Sequence, residues 1–144
     1  MNAQHLFRWL PASISLWIIA TLFALFGFAN LWVINKVNSS PDVRLRLRNV
    51  QGLVREYRRG AIENEAIAAL LVTGWFVMRR ATPGGRSLGA LLVLIGFWIT
   101  YRRWLHQAGP SGWMNWVEPF LIWPLMLYPV CYGFFSSQRS EGKT

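Results

Sequence analysis

Glu118 stands inside a long apolar segment of the chain and is the residue with the clearest potential for chemistry. An ionised side chain in the middle of a bilayer costs about 2.5–3.5 kcal/mol or more, so an intramembrane acid usually has a partner or a function. Arg102 and Arg103 close the preceding apolar segment, and a loop rich in Gly and Pro separates them from Glu118. We therefore predict that one of these arginines pairs with Glu118, which is also a candidate functional intramembrane acid.

Residue patterns of catalytic and metal sites are missing from the sequence. His5 and His106 are isolated, so neither belongs to a set of metal ligands. No serine has a plausible His and Asp partner pair, and no phosphate-binding glycine loop is present. Cys131 is the only cysteine, which excludes an internal disulfide and a cysteine metal cluster. We predict a non-enzymatic protein with no catalytic residue, metal or cofactor.

A basic stretch, residues 36–60, is the second candidate site. It contains seven of the fifteen Lys and Arg residues, and its apolar side chains recur at helical spacing opposite the arginines. Ser40 suits an N-cap and Gly60 a C-terminal cap, which predicts an amphipathic helix over residues 41–59. Such a helix lies in the headgroup layer, where it contacts anionic lipids or a protein partner. No nucleic-acid motif accompanies the charge. The predicted contacts are Arg44, Arg46, Arg48, Arg55, Arg58 and Arg59.

Four apolar segments must position these groups. Residues 12–34 carry no charge, and 23 residues of helix are long enough to cross a hydrocarbon core of ~30 Å. Three shorter segments follow, at 62–78, 86–101 and 116–135. The charged residues lie in short runs between these segments, which is typical of membrane proteins.

The predicted fold is an all-α integral membrane protein. It is a four-helix transmembrane bundle in which the amphipathic helix lies in the interface between spans 1 and 2. Residues 1–144 form a single transmembrane domain, and the polar residues 136–144 form a disordered tail.

Two further features concern the packing of spans three and four. Gly85 and Gly89 form a GxxxG pattern that Gly96 extends, and small residues at this spacing allow helices to approach closely. The partner helix is either another span of the same chain or a second copy of the protein. In the fourth segment Pro124 and Pro129 each remove a helix hydrogen bond and predict kinks.

Loop charges predict the topology. With four spans, loops 36–61 and 102–115 share one side and contain nine Lys or Arg, whereas the other side contains six. Short loops rich in Lys and Arg remain in the cytoplasm. We predict a bacterial inner-membrane protein with both termini outside and loop 36–61 in the cytoplasm.

Two functions fit these features. The first is a non-enzymatic accessory, assembly or scaffolding subunit of a larger membrane system, with a membrane-protein partner or a homo-oligomer. The alternative is a small transporter or lipid-handling protein that uses Glu118 and the proline-kinked fourth span. A closed, dry bundle favours the first function, and a water-filled cavity that reaches Glu118 favours the second.

Overall fold

The computed structural model describes residues 3–42, 49–80, 82–107 and 114–141, and these residues form helices without strands. Three long helices come first, and the last apolar segment contains two α-helical parts joined by a π-helical turn. The bounds are α1 Ala3–Ser39, α2 Val50–Arg79, α3 Pro83–Gln107, α4 Met114–Val117, the π-helical turn Glu118–Ile122 and α5 Trp123–Glu141.

Three of these helices, α1, α2 and α3, are long and apolar enough to cross a membrane. The prediction of an all-helical membrane protein is confirmed at this level. The apolar part of α5 ends at Phe135, and polar residues continue the helix to Glu141. The predicted disordered tail is therefore helical as far as Glu141, and residues 142–144 lie outside the described residues.

Consecutive helices pack side by side around one apolar core. Helix α1 packs against α2, α2 against α3, α3 against α5, and α5 against α1. The neighbours are antiparallel: Ser13 of α1 bonds Trp75 near the end of α2, while Asn30 lies beside Gly60 in its first half. The core is formed by Leu16, Ile19, Ala20, Phe23, Ile67, Ala68, Leu71, Met78, Val93, Ile122, Met126 and Val130.

Helix α2 begins earlier than its apolar segment. The Asn49 side chain accepts a hydrogen bond from the Gly52 N–H at 2.9 Å, which caps the helix. The helix then continues through Gly60, so the predicted helix end at this glycine is wrong. A glycine inside a helix costs about 1 kcal/mol relative to Ala, and here its missing side chain lets α1 come close. Residues 43–48 of the predicted amphipathic helix lie outside the described residues.

Helix α3 begins at Pro83, shortly after α2 ends at Arg79. The Thr82 hydroxyl accepts from the Gly85 N–H at 3.1 Å and the Thr82 carbonyl accepts from the Arg86 N–H at 2.9 Å. Pro83 then occupies the first helical position, where its lack of an N–H has no cost. Pro83 therefore starts a helix here. At the other end α3 continues to Gln107, beyond the predicted end at residue 101.

The prolines of the last segment coincide with a local change of helix type. The Trp123 N–H donates to the Glu118 carbonyl, five residues earlier, which defines the π-helical turn. Pro119 lies in this turn, Pro124 follows it, and Pro129 lies inside α5. A π-helical turn thus precedes Pro124, and the kinks at Pro124 and Pro129 stay predictions.

Candidate functional site

Arg103 connects several helices where α1 and α3 end and α2 begins, a region that we call the Arg103 end. One terminal nitrogen, Nη1, donates to Asn64 Oδ1 of α2 at 2.6 Å. The other, Nη2, donates to Glu118 Oε1 of the π-helical turn at 2.7 Å. The guanidinium carbon also lies 5.8 Å from the centroid of the Phe23 ring of α1. The structure therefore contains the predicted ion pair, and Arg103 is the arginine that forms it.

The ion pair lies mostly away from solvent. The side chains of Arg103 and Glu118 are each 17% exposed, and Asn64 is buried. Charge-assisted hydrogen bonds are about twice as strong as neutral ones, so this geometry holds the guanidinium in one position. Glu118 uses one oxygen for the pair, while Oε2 is buried without a hydrogen-bond partner among the described residues. Arg103 is therefore the only described partner that holds Glu118.

An aromatic cluster packs beside this ion pair. The Trp123 ring makes edge contacts with three rings of α3, at centroid distances of 5.4–5.7 Å. These rings belong to Phe97, Tyr101 and Trp104. Edge contacts of this kind add about 0.5–1.5 kcal/mol each beyond their buried area. These ring contacts join α3 to α5.

An open cleft of about 840 Å³ lies at the Arg103 end. Most of its lining is polar or charged, and it receives residues from three helices. Arg103 reaches the cleft, whereas Glu118 is not part of its wall. The lining is Asn30 of α1, then Leu53, Glu56, Tyr57, Arg59, Gly60, Glu63 and Asn64 of α2, and Trp98, Ile99, Arg102, Arg103 and His106 of α3.

One side of α2 forms the main wall of the cleft. Leu53, Tyr57, Gly60 and Asn64 recur every three or four residues, so they share one face of the helix. A Cβ atom at Gly60 would lie 2.9 Å from Asn30 Nδ2, and the glycine therefore makes room for this amide of α1. The face of α2 that packs in the apolar core therefore continues toward the start of the helix as the wall of the cleft.

The charged residues of the cleft fall into two groups. Arg103 is paired with Glu118, and Arg59 Nε donates to Glu63 Oε1 at 2.9 Å. Glu56, Arg102 and His106 are exposed and have no hydrogen bond or ion pair to another described residue. One acid and two bases of the cleft are therefore available to a ligand.

The predicted basic surface is only partly described. Arg44, Arg46 and Arg48 lie outside the described residues. Arg55 and Arg58 are exposed on the first turns of α2, as a contact with headgroups or a partner requires. Arg59 differs from them because it turns toward the cleft and bonds Glu63.

The three glycines of the predicted packing pattern lie against neighbouring helices of the same chain. A Cβ at Gly89 would lie 2.6 Å from the Gly74 carbonyl oxygen of α2, and a Cβ at Gly85 would lie 3.1 Å from the Val77 carbonyl oxygen. Gly96 faces Met126 of α5 and Ile67 of α2. The close approach is therefore intramolecular.

Sequence reasoning missed the cleft and its two asparagines. The available signal was a polar residue in each of three spans, Asn30, Asn64 and Arg103, each near the end on the same side. Among the described residues no group of three His, Cys, Asp or Glu is placed to hold a metal ion. Comparison with protein-family models, curated proteins and solved structures finds no match for this chain. The three apolar helices define it as a membrane protein.

Proposed function

We propose that this is a four-span membrane protein that binds a membrane lipid in the cleft at the Arg103 end. The fourth crossing is the last apolar segment, residues 116–135, whose two α-helical parts continue through the π-helical turn. Large apolar side chains on this segment are exposed as a lipid-facing surface requires, since no other described residue covers them. They are Trp116, Phe120, Leu121, Tyr128 and Phe135.

The topology follows from loop charge and can be tested with reporter fusions. We predict that a fusion at Thr144 reports the outer side and a fusion at Ser111 the cytoplasm, because the fourth segment separates them. Two reporters, one active only in the cytoplasm and one active only outside, are fused at each residue, and their activities show on which side of the membrane that residue lies. Cytoplasmic activity at Thr144 would contradict the orientation. If both residues lay on the same side, the fourth segment would not cross the membrane.

The cleft is the observation that supports lipid handling over the accessory role that the sequence favoured first. A closed, dry bundle would have supported a scaffolding subunit, but here Asn30, Asn64 and Arg103 line an open cleft. Glu118 is not part of its wall, and the link of the cleft to Glu118 is the ion pair with Arg103. Ligand sites combine apolar walls with a few placed polar groups, and the lining of this cleft has both. The exposed Arg55 and Arg58 are expected to contact anionic headgroups beside it. The proposed activity is binding, without catalysis.

Filling the cleft tests this function. Gly60 lines the cleft, so Gly60→Leu places a side chain inside it, where it meets the flexible amide of Asn30. We expect this variant to lose most of the lipid that co-purifies with the wild-type protein in mild detergent, measured by mass spectrometry of the extracted lipids. The matched control is Gly84→Leu, because a Cβ at Gly84 meets nothing within 4 Å and Gly84 does not line the cleft.

Circular dichroism must first establish that both variants fold. Unchanged lipid content in a folded Gly60→Leu protein would contradict the proposal. The accessory subunit would then be the favoured function, and it predicts a membrane-protein partner that co-purifies from native membranes.

A further inference from the structure

We propose that the cleft recognises a zwitterionic phospholipid with a primary amine, of the phosphatidylethanolamine class. This inference rests on the proposed lipid-binding function and adds the chemistry of the ligand. Arg102 and His106 of α3 bind the phosphate, and Glu56 of α2 binds the ammonium group.

The free charges of the cleft determine this choice. Two of its arginines are satisfied, since Arg103 pairs with Glu118 and Arg59 pairs with Glu63. Among the described residues the acid Glu56 on α2 and two bases on α3, Arg102 and His106, are left without an ion pair. A purely anionic ligand would place a negative charge next to Glu56, and a purely cationic ligand would place a positive charge next to Arg102. Either ligand would be repelled by one wall of the cleft. A ligand with one charge of each sign complements both walls.

Neutral donors of the lining fit the phosphate. The Tyr57 hydroxyl and the Asn30 amide are half-buried in the cleft and have donor groups for phosphate oxygens. Arg102 adds a planar guanidinium that can bind two phosphate oxygens at once. The phosphate is therefore expected between α3 and these donors.

The carboxylate of Glu56 favours a ligand whose positive charge is a primary ammonium group. An ammonium group has three N–H donors and bonds directly to the Glu56 carboxylate. A quaternary ammonium has no such donor and is recognised by cages of aromatic rings. The cleft lining contains only Tyr57 and Trp98 as aromatic residues. The chemistry therefore favours ethanolamine over choline.

An exposed apolar stripe on α3 identifies the ligand as a lipid. Leu91, Ile95 and Trp98 are each 45–61% exposed and recur at helical spacing. Arg102 follows on the same face one turn later and enters the cleft. An acyl chain can lie along this stripe toward the middle of the bilayer while its headgroup occupies the cleft. A soluble zwitterion would not use the stripe.

The test compares headgroups on the full-length protein in detergent. The probes are phosphatidylethanolamine, phosphatidylcholine and phosphatidylglycerol with identical acyl chains, and binding is measured by native mass spectrometry. We expect the ethanolamine lipid to bind about tenfold more tightly than the other two. Equal affinity for all three would overturn the inference. If Gly60→Leu still removed co-purified lipid, the proposed function would stand without it.

Variants assign the two charges separately. Glu56→Gln is expected to remove the preference for ethanolamine over choline, and Arg102→Gln to weaken binding of all three lipids by about tenfold. The matched controls are Glu65→Gln and Arg80→Gln, which change exposed residues outside the cleft lining. A control with the same effect as its partner would contradict the assignment. Competition by free phosphoethanolamine as effective as the whole lipid would overturn the lipid as the source of the headgroup.

Discussion

Replacing Arg103 by methionine is expected to cost about 3 kcal/mol of unfolding free energy, because it leaves the Glu118 carboxylate without its partner in a mostly buried position. The same change removes the donor to Asn64 Oδ1, which is buried in α2. Glu118→Gln should cost less, about 1–2 kcal/mol, because the amide oxygen can still accept from the guanidinium. Reversible unfolding in mild detergent measures both values.

A double-mutant cycle isolates the contribution of the ion pair. Once Glu118 is neutral, the loss of Arg103 no longer strands a buried charge, so the double variant should be less destabilised than the sum of the single variants. We expect a coupling energy of about 1–3 kcal/mol. Arg58→Met is the control, since an exposed arginine outside the cleft should change the unfolding free energy by about 0.5 kcal/mol or less. Additive effects would contradict the pairing of these two side chains.

The ion pair also illustrates what the sequence alone was able to predict. Arg102, Arg103 and Glu118 flank one short loop between two apolar segments, so their depths had to match in any antiparallel arrangement. The cost of an unpaired intramembrane charge then required a partner. The choice of Arg103 over Arg102 needed the structure, because it depends on which face of α3 points toward the π-helical turn.

The helix boundaries show where local signals were misleading. Gly60 was predicted to end a helix, yet packing against Asn30 of α1 offsets its low helix propensity. Pro83 suits either a turn or the first turn of a helix, and the cap of Thr82 makes it the first residue of α3. In both cases a tertiary contact or a single cap decided between two local structures that the sequence allowed.

The cleft could not be predicted from the spacing of residues on one helix. Asn30, Tyr57 and Arg102 are far apart in the chain and come together only through the pairing of three helices. The extension of α2 to Val50 creates the wall, whereas the helical spacing of residues 41–59 predicts a separate interfacial helix there. A polar site between spans depends on helix length and rotation, and both were set by packing rather than by composition.

The glycine contact between α2 and α3 supports the second prediction with a large effect, which concerns Gly89→Ala. The new methyl group would lie 2.6 Å from the Gly74 carbonyl oxygen and 3.0 Å from the Met78 nitrogen. Both are backbone atoms that cannot turn away, and the Met78 side chain is close as well. The two helices must therefore separate, and we expect a net loss of about 2 kcal/mol despite the gain in helix propensity.

Gly84→Ala is the matched control for this change, because it lies on the same helix and its Cβ would meet nothing within 4 Å. The alanine should raise the unfolding free energy by about 0.5 kcal/mol through helix propensity alone. The two substitutions are chemically identical, so opposite signs in the same unfolding experiment isolate the close approach of α2 and α3. If both variants were stabilised, this approach would not exist. If Gly89→Ala instead converted a dimer into a stable monomer, the glycines would form the seam between two copies of the chain.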